Sequence, residues 1–174
     1  MSFTKDNTLN WVRNGIQKET IDSAFLAGWN FVCPNHRINN LNDVITLKKK
    51  ERNELVTVFS KPYSAMNDSE KGKVVEDNKG SSLTTSQIRI AFGEMRKIQS
   101  NGYELSSFLM LKPKLAYAVK RHDKKGLDEF YKIFVWAYDA VETNKPAEAP
   151  KQFNNFMQIM ESLLAYHKFH GGRE

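Results

Sequence analysis

Arg89, Arg96, Lys97, Lys114, Tyr117, Lys120 and Arg121 occupy the middle of a 174-residue chain, and their types suit one kind of chemistry, contact with a polyanion. Lysine and arginine neutralise phosphates and displace counterions without reading sequence. A tyrosine among them stacks on a base or hydrogen-bonds a phosphate. The spacing is helical: Arg89 and Arg96 fall two turns apart, while Lys114, Tyr117 and Arg121 recur at three and four residues with Lys120 adjacent. The charge balance points to the same stretch. Residues 81–126 hold nine basic and three acidic groups, +6, which equals the net charge of the whole chain, because the +2 before them cancels the −2 after them. Two plainer readings stay open at this level. The tyrosine suits packing against a helical core, and the cations suit a solvated face on a basic protein or anchoring by Asp139 or Glu142.

Other constellations lead away from catalysis. Cys33 is the single cysteine, which excludes an internal disulfide and suits a reducing compartment. Cys33 and His36 have a metal-like spacing but no second ligand pair nearby. His167 and His170 stand three apart, and His167 continues an apolar stripe, so a core histidine is the simpler reading. His122-Asp123 is similar to a ligand pair of metal-dependent phosphohydrolases, yet the flanking lysines oppose a bound cation. Gly171-Gly172 has no sequence after it that could form a phosphate loop, and neither a P-loop nor a G-x-S-x-G motif occurs. The expectation is a binding protein, not an enzyme, with no metal and no cofactor. The start of the chain lacks a signal-type apolar core and no run approaches the ~20 apolar residues of a membrane span. A cytoplasmic protein with no membrane partner is expected.

Helices must position the basic residues. Leu127, Phe130, Tyr131, Phe134, Val135, Tyr138 and Val141 form one stripe, with Gly126 before it and Asn144-Lys145-Pro146 ending it. Phe153, Phe156, Met157, Met160, Leu163, Leu164 and His167 form another, and the short connection predicts antiparallel neighbours. Thr84, Thr85 and Ser86 offer hydroxyl caps to a helix through Ile88, Phe92, Met95 and Ile98 that stops at Gly102. Pro113 suits the first turn of a further helix through Leu115, Ala118 and Val119. Upstream, Ile21, Ala24, Phe25 and Trp29 predict a helix over 20–32. Leu41 to Phe59 reads as a polar helix around Lys48–Arg52, with a strand at Leu55–Phe59 as the alternative. The basic run at 48–52 reads as a solvated face, with a second RNA contact as the alternative. Residues 67–82 carry no stripe and read as a flexible linker. The expected fold is all-α, a compact bundle of about four to six helices, with a helical bundle at 83–174 and an N-terminal helical extension of unclear role at 1–66.

Leu83-Thr84-Thr85-Ser86-Gln87-Ile88-Arg89 resembles the opening motif of the small subunit of type III-A CRISPR (Csm) effector complexes, and Leu111-Lys112-Pro113-Lys114-Leu115-Ala116-Tyr117-Ala118-Val119-Lys120-Arg121 resembles that family's second motif. Order, separation and the following amphipathic pair also fit, over about residues 83–170. The resemblance implies an all-helical, non-catalytic subunit of an antiviral effector that stacks in several copies. It implies partners as well: guide RNA, target RNA, the backbone and large subunits, and further copies of the chain. Cleavage would belong to those other subunits. By motif match, Arg89 and Arg121 are the leading RNA-contact residues, followed by Lys114, Tyr117 and Lys120. The chain departs from the pattern in its longer N-terminal region and in the lysine before Arg121.

Overall fold

In the computed structural model, which describes residues 2–174 apart from the side chain of Ile90, the chain runs α1 (Lys5–Asn14), α2 (Lys18–Val32), β1 (Val44–Glu51), β2 (Glu54–Pro62), a 3-10 turn (Tyr63–Ala65), α3 (Asp68–Asp77), α4 (Thr85–Asn101), α5 (Leu105–Leu109), α6 (Leu111–His122), α7 (Lys125–Ala140) and α8 (Ala149–Phe169). The two strongest stripes become α7 and α8, which pack on each other and on α1 and α2. Leu127, Phe130, Phe134, Phe153, Phe156, Met157 and Leu163 are fully buried between them. Burying each such side chain contributes about 1.5–3 kcal/mol. Phe108 from α5 stacks on Tyr138 with ring centroids 4.5 Å apart, which seats the short α5 on the same core.

Gly126 is not a breaker before α7 but part of its first turn. A Cβ at this position would overlap the Phe31 carbonyl oxygen and come within 2.5 Å of the Leu83 nitrogen. Those two atoms are themselves bonded, Leu83 N–H donating to Phe31 O at 2.8 Å. The glycine therefore lets α7 close over the junction between the end of α2 and the start of α4. Gly28 does the same where α2 lies along α8, since a Cβ would stand 2.6 Å from the Tyr166 carbonyl carbon.

Two expectations fail in the N-terminal half. The fold is mostly helical but not all-α, because 44–62 forms a two-stranded antiparallel hairpin and not a polar helix. Ile45 and Leu47 alternate inward with Thr46 outward, a period of two that overrides the helical reading. Arg52 and Asn53, both with positive φ (46° and 69°), make the two-residue turn, and a bulge follows Leu47. Residues 67–82 are not a loose linker either. An Asn67–Glu70 capping box starts α3, and Val74 is buried. Beyond it Asn78, Ser82 and Leu83 are buried, Ser82 Oγ donating to the Asn78 carbonyl at 2.9 Å. This helix buries too narrow an apolar face to leave a stripe in the sequence.

Residues 1–66 contribute to both cores of the molecule. Trp11, Val12, Ala24, Ala27 and Phe31 belong to the same core as α4–α8. A second, smaller core holds Leu26, Trp29, Ile38, Ile45, Tyr63, Met66 and Val74, and it roots the hairpin and α3. The N-terminal helices thus belong to the bundle, and the hairpin stands on its flank.

Candidate nucleic-acid interface

Thr84 and Gln87 form a reciprocal capping box at the start of α4, and the helix ends at Gly102 (φ 90°), as the hydroxyl cluster and the glycine predict. Ile88, Phe92, Met95 and Ile98 are buried, which fixes the rotation of α4 and leaves Arg89, Arg96 and Lys97 outside. Leu111, Leu115 and Ala118 do the same for α6. Its outer face then carries Lys114, Tyr117 and Arg121 at helical spacing, with Tyr117 70% exposed. Tyr117 therefore stands in solvent and does not pack against the bundle.

The two helices run antiparallel. Gly126, just beyond the end of α6, donates its N–H to Ser81 O at 3.0 Å, just before α4. Arg121 in the last turn of α6 and Arg89 near the start of α4 consequently lie toward the same end of the pair. Both are exposed, and neither makes an ion pair with another described residue. Lys120, also exposed, shares that property. The expected anchors serve other cations: Asp139 takes Lys112 at 2.8 Å, and Glu142 takes Lys145 at 2.7 Å and Arg13 at 3.8 Å.

At the other end the cations are paired. Glu94 accepts from Lys114 at 2.6 Å and from Lys97 at 3.0 Å. The Lys114 hydrogen bond first, then that of Lys97, holds the Glu94 carboxyl below the usual carboxylate range. Arg96 reaches Glu161 of α8 at 3.8 Å. An open groove of about 510 Å³ runs past Glu94, Lys97, Glu104, Ser107 and Lys114. The hydroxyls of Ser106 and Ser107 hold the Glu104 carboxyl below its ordinary range, so this groove carries both signs of charge. Among the seven predicted residues the structure therefore separates an unpaired end, Arg89, Lys120 and Arg121, from a paired one, Arg96, Lys97 and Lys114. Glu94 and Glu161 are the residues that sequence reasoning missed. Glu94 was visible in principle, three residues before Lys97, but its partner on α6 is set by packing.

The start of α4 is held from several sides. His167 Nε2 donates to Leu83 O at 2.8 Å, and the Arg173 carbonyl accepts from the Thr85 N–H at 2.6 Å and from its hydroxyl at 2.8 Å. His167 is a buried core histidine, and burial pushes its pKa down. The profile of the family described as Csm2 Type III-A matches residues 60–173. The chain belongs to that family. Csm2 Type III-A proteins are structural small subunits of the Csm complex, so other Csm subunits are implied as partners. The match takes in both motifs, α3 and the end of the hairpin, and leaves residues 1–59 outside. No curated protein and no solved structure matches the chain significantly.

Cys33 is fully buried, and burial pushes its thiol up, away from nucleophilic reactivity. His36 contacts Asn78 at 2.8 Å and Asp77 at 3.5 Å. His122 and Asp123 are exposed at the end of α6, where Asp123 takes the left-handed cap position. Among the described residues no three His, Cys, Asp or Glu side chains converge as a metal-binding group. No helix among them is long and apolar enough to cross a membrane.

Proposed function

We propose that this chain grips RNA through the outer face of α4 and α6, as a non-catalytic subunit lining the path of guide and target RNA in a cytoplasmic antiviral type III-A complex. The observation that carries the reading is the exposed end of the helix pair, where Arg89, Lys120 and Arg121 make no ion pair with a carboxylate among the described residues. Unpaired guanidinium groups on rigid helices suit phosphate oxygens, and no base-edge code is needed. Tyr117, 70% exposed one turn before Arg121, adds a ring on which a base can stack. Leu105, Leu109 and Met110, 44–51% exposed beside this face, supply apolar surface for a neighbouring subunit or a further copy of the chain. Several copies along one RNA make modest affinity per copy sufficient.

The test is fluorescence anisotropy of the purified chain on a labelled 40-nucleotide polyuridine strand across a salt series. Weak, strongly salt-dependent binding is expected, and Arg89→Ala with Arg121→Ala should weaken it several-fold and flatten the log–log salt slope by about 1.4, at about 0.7 per lost phosphate contact. Unchanged affinity and slope in the double variant would remove RNA contact from these helices. In that case a protein-only adaptor role, using the same face for docking, replaces it.

A further inference from the structure

The hairpin changes character along its length. At the root, Ile45 and Leu47 are buried, and Lys61 is ion-paired with Glu70 of α3. From Lys48 through Val58 every residue is exposed, and where the arm leaves the body Lys48, Lys49 and Val58 border an open groove against Lys73, Glu76 and Asp77 of α3. Strand alternation puts Lys48 and Lys50 on the side of Thr46, whose hydroxyl meets Ser60 across the strands at 2.9 Å, and puts Lys49 on the other side. There Lys49 pairs with Glu51 at 3.7 Å. Lys48, Lys50 and Arg52 make no ion pair with a described residue. At about 3.3 Å per residue they extend over roughly 13 Å of one face and tip.

The tip adds a second observation. Arg52 holds the first position of a turn in which both residues have positive φ, where Gly, Asn or Asp is the usual choice. A non-glycine residue held there costs about 1–2 kcal/mol. Arginine is a poor residue for the turn and a good one for an anion at the end of an arm. The exposed apolar residues of the outer half, Leu55, Val56 and Val58, are aliphatic, and the outer half contains none of the aromatic anchors that dominate protein interfaces.

We infer that the hairpin is a second RNA-gripping arm, with Lys48, Lys50 and Arg52 on the phosphodiester backbone of a single strand. The inference rests on the reading that this chain binds RNA, but it uses a different surface. Rooted in the second core, the arm extends the grip to a phosphate run that α4 and α6 do not provide.

Two variants of the full chain on the same labelled polyuridine strand separate the surfaces. The arm variant is Lys48→Gln, Lys50→Gln and Arg52→Asn, which removes three charges while giving the turn a residue that tolerates positive φ. It is expected to melt no lower than the parent, to lose tenfold or more in affinity at low salt, and to flatten the salt slope by about 2. Parental affinity and slope in the arm variant overturn the arm, whatever the Arg89/Arg121 variant does. If the arm variant weakens while the Arg89/Arg121 variant binds normally, the arm stands and the helical reading falls. A parent chain that does not bind the strand at low salt overturns both. An arm variant that binds RNA normally but no longer co-purifies with other Csm subunits overturns the inference in favour of protein docking.

Discussion

The outer face of α4 and α6 and the outer half of the hairpin are both rich in lysine and arginine, yet the protein treats their charges differently. On the helices, Glu94 and Glu161 occupy Lys97, Lys114 and Arg96, and only the end near the α4 cap carries unpaired cations. On the outer half of the hairpin one pair, Lys49–Glu51, leaves Lys48, Lys50 and Arg52 without an ion pair to a described residue. The helical face rests on a large core that dictates where each side chain stands, while the hairpin is held at its root alone. A ligand finds a preset geometry on the first surface. The second offers charge and reach. Affinity that depends on preset geometry is lost when the body shifts, whereas affinity that depends on the arm survives until the root loosens.

The strongest way to break that contrast is to move the body without touching a cation. Gly126→Ala forces a Cβ into the Phe31 carbonyl and the Leu83 nitrogen, backbone atoms that cannot swing aside. Overpacking of this kind costs about 3 kcal/mol, which lowers Tm by about 10 °C in a chain of this size. Because the clash falls on the residues that precede α4, the contribution of Arg89 and Arg121 to RNA binding should shrink at temperatures where the variant remains folded. The contribution of Lys48, Lys50 and Arg52 should persist. Thermal melts by circular dichroism together with anisotropy check both halves. A variant as stable as the parent would mean that α7 does not close over this junction as described.

How much of this the sequence disclosed follows the same divide. The helices α4, α6, α7 and α8 were legible because each buries a broad face, and a broad face leaves apolar residues at three and four. The caps at Thr84 and Gly102 were legible because capping is local chemistry. The hairpin was legible only in the alternative strand at Leu55–Phe59, which lies inside β2, and α3 was not, since each buries a narrow strip: Ile45 and Leu47 in one, Val74 in the other. Five consecutive charged residues at 48–52 then hide a strand alternation that needs apolar contrast to be seen. The helix α1, which buries Trp11 and Val12 in the main core, went unread for the same reason. At the candidate site the sequence disclosed which residues are cationic and which helical edge they share. Which of them are already paired depends on α6 returning beside α4 and on α8 crossing nearby, and no local pattern encodes that.

Acid offers a way to loosen the arm's root more than the helical face. His170 Nε2 donates to the Phe25 carbonyl at 3.0 Å, which leaves Nδ1 to accept from the Tyr63 hydroxyl at 3.1 Å. Tyr63 directly follows β2. Burial, followed by the nearby Lys71 and His167, outweighs the Phe25 hydrogen bond and pushes the His170 pKa down to about 4. An unfolded histidine titrates near 6.5, so between 6.5 and about 4 the unfolded chain binds a proton that the folded chain excludes. Stability from this site is complete above pH 6.5 and falls as pH drops through that window, by about 2 kcal/mol at pH 5. His167, also pushed down by burial, acts in the same direction. Urea unfolding at pH 7 and pH 5 measures the loss, and His170→Phe should reduce it while lowering stability at pH 7. An identical pH dependence in that variant would remove His170 as the cause.

The smallest expected effect sharpens the comparison most, because it makes the helical face resemble the arm. Glu94 is a partly exposed carboxylate that engages Lys97 and Lys114 at once. Exposed pairs contribute at most about 1 kcal/mol each, so Glu94→Gln should cost the fold less than about 1 kcal/mol. Under the proposed RNA contact it removes a carboxylate that competes with phosphates for Lys97 and Lys114. Two freed lysines add about 0.7 each to the salt slope, and affinity for the polyuridine strand at low salt should rise about two- to fivefold. Combined with the arm variant, the gain should remain, because the two surfaces lie on different elements and share no partner. If Glu94→Gln leaves affinity and slope unchanged, Lys97 and Lys114 do not face the strand. RNA contact on the helices then narrows to the end that holds Arg89, Lys120 and Arg121.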